Sequence, residues 1–146
     1  MVANEGGGTM GRVTAELLLA NAGDREVAAR GLMPADQVRT AVVSGIVDTG
    51  AAMLVLPEGI VNRLGVPDNG EATVRYADHR TATRRVVEQV RLELAGRHGV
   101  FTAIVEPGRT TALIGAIVLE ALDLLVDCRT QTLHPRDPDR IIAEIE

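Results

Sequence analysis

The sequence predicts a mainly β protein, a small barrel or a sandwich, with one or two short helices. Three observations point there. Short segments with two-residue apolar alternation recur along the chain, turn residues interrupt them about every 8–12 residues, and only Ala116 to Leu122 reads as a sustained helix. A length of 146 residues suits one domain, and 46% hydrophobic with 24% charged residues is the balance of a folded chain. With no Trp, one Tyr and one Phe, the core must be built from Val, Leu, Ile and Ala.

Residues 1–10 contain Gly6-Gly7-Gly8 and no periodicity, so a flexible N-terminal arm is expected there, followed by a domain over 11–135 and a tail over 136–146. Val13, Ala15, Leu17 and Leu19 alternate with Thr14, Glu16 and Leu18, the period of a half-buried strand. Asn21 to Asp24 reads as a turn and Glu26 to Arg30 as a returning strand, which Pro34 then ends. Val38 to Val47 is rich in β-branched residues and leads into Asp48-Thr49-Gly50, with a short apolar run from Met53 to Leu56 beyond it. Pro57 opens a short helix carrying Ile60, Val61 and Leu64 on one face, and Gly65 closes it. Asp68-Asn69-Gly70 reads as a turn. Ala72–Ala77 and Thr81–Val87 form a hairpin about Asp78-His79, and Val90–Leu94 pairs with Val100–Val105 across Gly96 to Gly99. After the Ala116–Leu122 helix, Leu124–Val126 and Thr130–Leu133 make a last hairpin.

Composition removes several function classes. The formal charge of −5 leaves no basic footprint for nucleic acid, and no apolar run approaches the ~18–20 residues of a membrane span. None of the 15 basic residues is lysine, which excludes lysine Schiff-base chemistry. A single cysteine, Cys128, excludes an intramolecular disulfide and a multi-cysteine metal site. No secretory signal pattern is present, so a cytoplasmic protein is expected, and no cofactor is implied.

The residues that could carry chemistry centre on Asp48-Thr49-Gly50-Ala51. The apolar pair Ile46-Val47 runs into the aspartate, small residues follow it, and Leu113-Ile114-Gly115 leads into a helix about 65 residues later. In this order of parts the chain resembles the retropepsin-like aspartic proteases, of which the retroviral proteases are members, and is closer still to their bacterial single-domain branch. The resemblance spans roughly Gly11 to Pro135. It implies a closed retropepsin-like (acid protease) barrel in which Asp48 is the catalytic carboxylate and Thr49 and Gly50 complete its loop. It further implies that Leu113-Ile114-Gly115 packs beneath that loop and that Val74 to Val86 is a flap, with a tip near Asp78-His79. Ala51, Tyr76, Ala77, Asp78, His79, Leu113 and Ile114 would then line the peptide substrate. Retroviral flap tips are rich in glycine, whereas this one carries His79 and Arg80.

The chemistry explains the residue types. Hydrolysis without a covalent intermediate needs one carboxylate as base toward water and a second, protonated, as donor to the carbonyl oxygen. Only one Asp-Thr-Gly is present, so the pair requires Asp48 from each of two chains in a homodimer. Thr49 offers a hydroxyl to lock the loop, and Gly50 permits close backbone approach. Ala51 withholds a hydroxyl from the charged pair, which favours a mildly acidic to near-neutral optimum.

Plainer readings stand beside these. Asp48-Thr49-Gly50 alone is ordinary turn chemistry, and Leu113-Ile114-Gly115 alone is a core strand before a helix. His79, His98 and His134 read as loop residues without ligand spacing, and Cys128 as a packed or edge thiol. Tyr76 either touches substrate or packs. The basic face made by Arg75, Arg80, Arg84 and Arg85 is a solvated strand, a selector of acidic substrates or a clamp on a second chain. A non-catalytic dimeric peptide-binding module with the same fold, and a small barrel with an accidental triplet, are the competing functions.

Overall fold

A computed structural model describes residues 12–146; the expected arm over residues 1–10 lies outside them. The first strand, β1 (Thr14–Asn21), follows its alternation: Leu17 and Leu19 are buried while Leu18 faces outward. The chain then forms helix α1 (Ala22–Ala29), not a returning strand. Asn21 caps this helix by accepting the Asp24 N–H on its side-chain oxygen at 2.9 Å. The same four residues read equally well as a turn, because Asn and Asp bond backbone N–H groups in both settings. A 3-10 turn at Ala35–Gln37 leads to β2 (Thr40–Val47).

The short strand β3 (Leu54–Pro57) and helix α2 (Glu58–Leu64) come next, and Gly65 ends the helix at φ 62° as a left-handed cap. A side chain at Gly65 would also collide with the Arg39 guanidinium. The hairpin strands are β4 (Asp68–Arg75) and β5 (Thr81–Leu94). Asp68-Asn69-Gly70 is therefore the irregular start of β4, where the register shifts against β5, rather than a free turn.

The two strands expected over Thr81–Val87 and Val90–Leu94 are one strand with a bulge between Val87 and Val90, where Gln89 adopts φ 64°. The bulge divides β5 into a half that pairs β4 and a half that pairs β1. A turn at Ala95-Gly96, both at positive φ, joins β5 to β6 (Arg97–Glu106). Arg97 thus starts a strand instead of sitting in the turn, and it is buried with Nη1 donating to the Leu122 carbonyl.

Strand β7 (Ala112–Ile114), helix α3 (Ala116–Leu122) and a separate hairpin of β8 (Leu124–Asp127) and β9 (Thr132–Pro135) complete the fold. The main sheet runs β1-β2-β7-β3-β6-β5 and closes because β5 also pairs β1, through Leu18–Asn21 against Val90–Glu93. The result is a closed six-stranded barrel with β4 hanging from β5, and α1 adds a third short helix to the two the sequence suggested. Leu17, Leu54, Leu56, Val87, Ala103, Val105, Ala112 and Ile114 fill its core. At roughly 25 cal/mol per Å² this aliphatic burial is the main stabilising term. Residues 136–146 contain turns but no helix or strand. Among the described residues no helix is long and apolar enough to cross a membrane.

Candidate active site

The loop after β2 is fixed by the strand that follows it 65 residues later. β2 and β7 run parallel, with Gly45, Ile46 and Val47 opposite Ala112, Leu113 and Ile114. The Asp48 N–H extends that ladder by donating to the Ile114 carbonyl at 3.1 Å. Asp48 Oδ1 accepts the Gly50 N–H at 3.0 Å, and the Ala51 N–H returns to the Asp48 carbonyl at 3.0 Å. Asp48 Oδ2 has no hydrogen-bond partner among the described residues. The carboxylate is half-buried, held on one oxygen and open on the other.

Gly115 explains the apolar-apolar-glycine pattern. A Cβ there would run into the Met53 carbonyl and lie 2.9 Å from that of Ala51. The close approach lets α3 start against the loop: Ala116 and Ile117 donate to the carbonyls of Ala51 and Ala52 at 2.9 and 3.0 Å. Two N–H groups that a helix leaves unpaired at its start are satisfied by the loop, and the loop is anchored in return. A Cβ at Gly50 would lie 3.2 Å from Asp48 Oδ1, so this glycine too answers a close approach.

The structure brings Asp48, Thr49, Gly50 and Ala51 together with Ile114 and Gly115, and corrects two expected roles. Thr49 is exposed and its hydroxyl bonds nothing among the described residues, so the loop is locked by backbone bonds rather than by that hydroxyl. Ile114 is fully buried with its side chain in the barrel core, so it carries the loop through its carbonyl and does not line a groove. Leu113, its neighbour, points to the other face and is half-buried.

The hairpin of β4 and β5 turns at Ala77, Asp78 and His79. The Tyr76 N–H donates to the Arg80 carbonyl and the His79 N–H to that of Tyr76, both at 2.9 Å, with His79 at φ 70°. Asp78 accepts Arg80 Nε at 2.6 Å and the Arg80 N–H at 3.0 Å. These backbone and guanidinium bonds hold the Asp78 carboxyl below its usual range. No hydrogen bond joins this tip to the Asp48 loop among the described residues.

The Tyr76 side chain reaches back from the tip of the hairpin toward its root. Its hydroxyl donates to Glu106 Oε2 at 2.8 Å, while Arg84 Nε donates to Glu106 Oε1 at 2.8 Å. The guanidinium carbons of Arg80 and Arg84 lie 5.5 and 5.9 Å from the centroid of the Tyr76 ring. Burial and the Glu106 bond push the Tyr76 hydroxyl up, and Glu106 raises Arg84 in turn. Sequence reasoning missed Glu106. Its signal was position: it ends β6 just before Pro107-Gly108, across from the strand that bears Arg84.

The remaining expected groups stay apart. Asp123 caps α3 and pairs Arg136, Asp127 accepts the N–H groups of Arg129 and Thr130, and Cys128 is exposed. Among the described residues no group of His, Cys, Asp and Glu is arranged to hold a metal ion.

A family model described as "gag-polyprotein putative aspartyl protease" matches residues 37–121, more than half of the chain. The match runs from just before β2 into α3 and so includes the Asp48 loop, the hairpin and Gly115. A search of curated proteins returns no match.

Proposed function

The chain belongs to the gag-polyprotein aspartyl protease family, and from that premise we propose that it is a homodimeric aspartic endopeptidase with one Asp48 from each chain in its catalytic pair. The observation that carries the reading is the Asp48 carboxylate itself, held through Oδ1 by the Gly50 N–H on a backbone anchored to the Ile114 carbonyl, yet with Oδ2 unpartnered among the described residues. Asp78, Asp123 and Asp127 are each bonded elsewhere, so a second carboxylate from the same chain has no candidate among them. A twofold axis beside the loop supplies it. The exposed Thr49 hydroxyl is then available to the second chain.

In this arrangement two carboxylates close together share one proton. The ionised one takes a proton from the bound water as its oxygen attacks the scissile carbonyl, and the other donates its proton to the carbonyl oxygen. The tetrahedral intermediate collapses when the amide nitrogen leaves with a proton from the pair. Substrate lies extended beneath the hairpin, which acts as a flap, and bonds as an added strand. Ala51, Leu113 and the flap residues Tyr76, Ala77, Asp78 and His79 line its path.

Digestion of a mixed peptide library by wild type and by Asp48→Asn, across pH and protein concentration, tests the reading. Cleavage lost in the variant supports it. Cleavage that survives removes Asp48 from the chemistry, and peptide binding without cleavage by wild type assigns a non-catalytic module.

A further inference from the structure

Ile46, Leu113, Val55, Ile104 and Val86 are successive cross-strand partners across β2, β7, β3, β6 and β5. Partners in a sheet project to one side, and this row lies on the face opposite the core set of Leu54, Leu56, Ala103, Val105 and Ile114. Asp48 follows two residues after Ile46 on the extended ladder, and Arg84 and Glu106 lie two residues from Val86 and Ile104. The Asp48 loop and the root of the hairpin therefore belong to one continuous face, joined by an apolar row.

An open cavity of about 490 Å³ runs along the hairpin from its tip to that root, and its walls include Tyr76, Arg80, Arg84, Glu106 and Arg109. Three guanidinium groups and one carboxylate thus line it. Glu106 is occupied on both oxygens, by Tyr76 and Arg84, and its side chain is only 14% exposed. Arg80 is held by the exposed Asp78. Arg109 donates Nε to the Thr111 carbonyl and Nη2 to the Thr111 hydroxyl, both at 2.9 Å, and has no carboxylate partner among the described residues. Counting Asp78, the cavity keeps one uncompensated positive charge. Its guanidinium is already oriented by neutral acceptors, which lowers the entropic cost of pairing it with an incoming anion.

We propose that this cavity is a substrate subsite for an acidic side chain, Asp or Glu, whose carboxylate pairs with Arg109 and accepts a second hydrogen bond from Arg80. Tyr76, Arg84 and Glu106 are positioning residues: the ring and the carboxylate hold two of the guanidiniums along the cavity wall. The inference rests on the protease reading for its setting, since it assigns specificity to that reaction.

The test uses the wild-type chain, Arg109→Gln and Arg109→Glu with peptides that differ only in Glu, Gln or Lys at each position around the scissile bond. Wild type is expected to prefer Glu over Gln at one position by about ten-fold in kcat/KM, the size of one favourable charge pair. The ratio should fall to near one in Arg109→Gln, and Arg109→Glu should prefer Lys. Because each ratio is internal to one variant, partial loss of folding does not mimic the result. An unchanged ratio in both variants overturns the subsite, as does an unchanged ratio with a loss of dimer mass, which would place Arg109 in the chain–chain contact. Anisotropy of the same peptides, labelled, on Asp48→Asn and on Asp48→Asn/Arg109→Gln separates the two readings. Arg109-dependent preference for the Glu peptide with no cleavage by wild type keeps the subsite and sinks the protease. Cleavage without any acidic preference does the reverse.

Discussion

Gly115 sits so close beneath the Asp48 loop that its missing side chain is what lets Ala116 reach the Ala51 carbonyl at 2.9 Å. Any Cβ would push on the carbonyls of both Met53 and Ala51, which are backbone atoms with little room to yield. Gly115→Ala should therefore cost about 1–3 kcal/mol of stability, the range for overpacking a tight site, and lower cleavage by displacing the loop. Urea denaturation gives the first quantity and peptide cleavage the second; full activity in a fully stable variant would contradict the close-approach account.

Asp48→Asn should remove base and donor together while leaving the fold intact, because the Gly50 and Ile114 backbone bonds need no charge. A loss of cleavage of at least about 10²–10⁴-fold is expected, the usual contribution of positioned acid–base groups. Unchanged thermal unfolding alongside the lost activity makes the comparison clean.

If catalysis needs two chains, specific activity must fall when the protein is diluted below the Kd of its dimer, and mass action should restore it on concentration. Activity measured beside sedimentation mass over a dilution series decides this. A constant specific activity across a monomeric regime would rule out the shared pair.

Ala51 places no hydroxyl at its position in the Asp48 loop, beside the proposed carboxylate pair. Wild type should work best at mildly acidic to near-neutral pH, and Ala51→Thr should move the optimum toward acid by stabilising the charged form. The pH profile of kcat/KM for the two proteins measures the shift; an optimum near pH 3 in wild type would refute the argument.

Acid stability should depend on Asp24. Its buried carboxylate accepts the Arg39 N–H, Nε and Nη2 at 3.1, 2.8 and 3.0 Å, and those guanidinium bonds hold it below the usual carboxylate range. A carboxyl whose folded value is depressed contributes stability above its unfolded value, roughly 3.9, and that contribution is lost as pH falls through the lower folded value. Asp78, Asp123 and Asp127 are shifted the same way, so the difference between wild type and Asp24→Asn isolates one residue. Wild type should lose stability below about pH 4 more steeply than the variant, read from urea midpoints across pH.

Several elements were legible in the chain because their cause is local. The alternation of β1, the Pro57 to Gly65 helix and the Ala116–Leu122 helix needed only period and end residues. Asn21 to Asp24 reads as a turn in the chain because cap and turn use the same side-chain bonds, and only the burial of Asp24 against Arg39 selects the helix. The bulge at Gln89 was invisible for a related reason: it depends on β5 serving two partners, β4 and β1, at once.

By itself the sequence determined that the core is aliphatic, that Asp48 follows an apolar strand, and that an apolar-apolar-glycine element stands before a helix. Period, composition and spacing are properties of neighbouring residues, so they can be read without coordinates. The tertiary structure alone decided that Ile114 faces inward while Leu113 faces outward, that Thr49 is left unpaired among the described residues, and that Glu106, Tyr76 and three arginines meet at one cavity. Those facts depend on which strands lie side by side, and strand order is set by burying the whole apolar set at once rather than by any one segment.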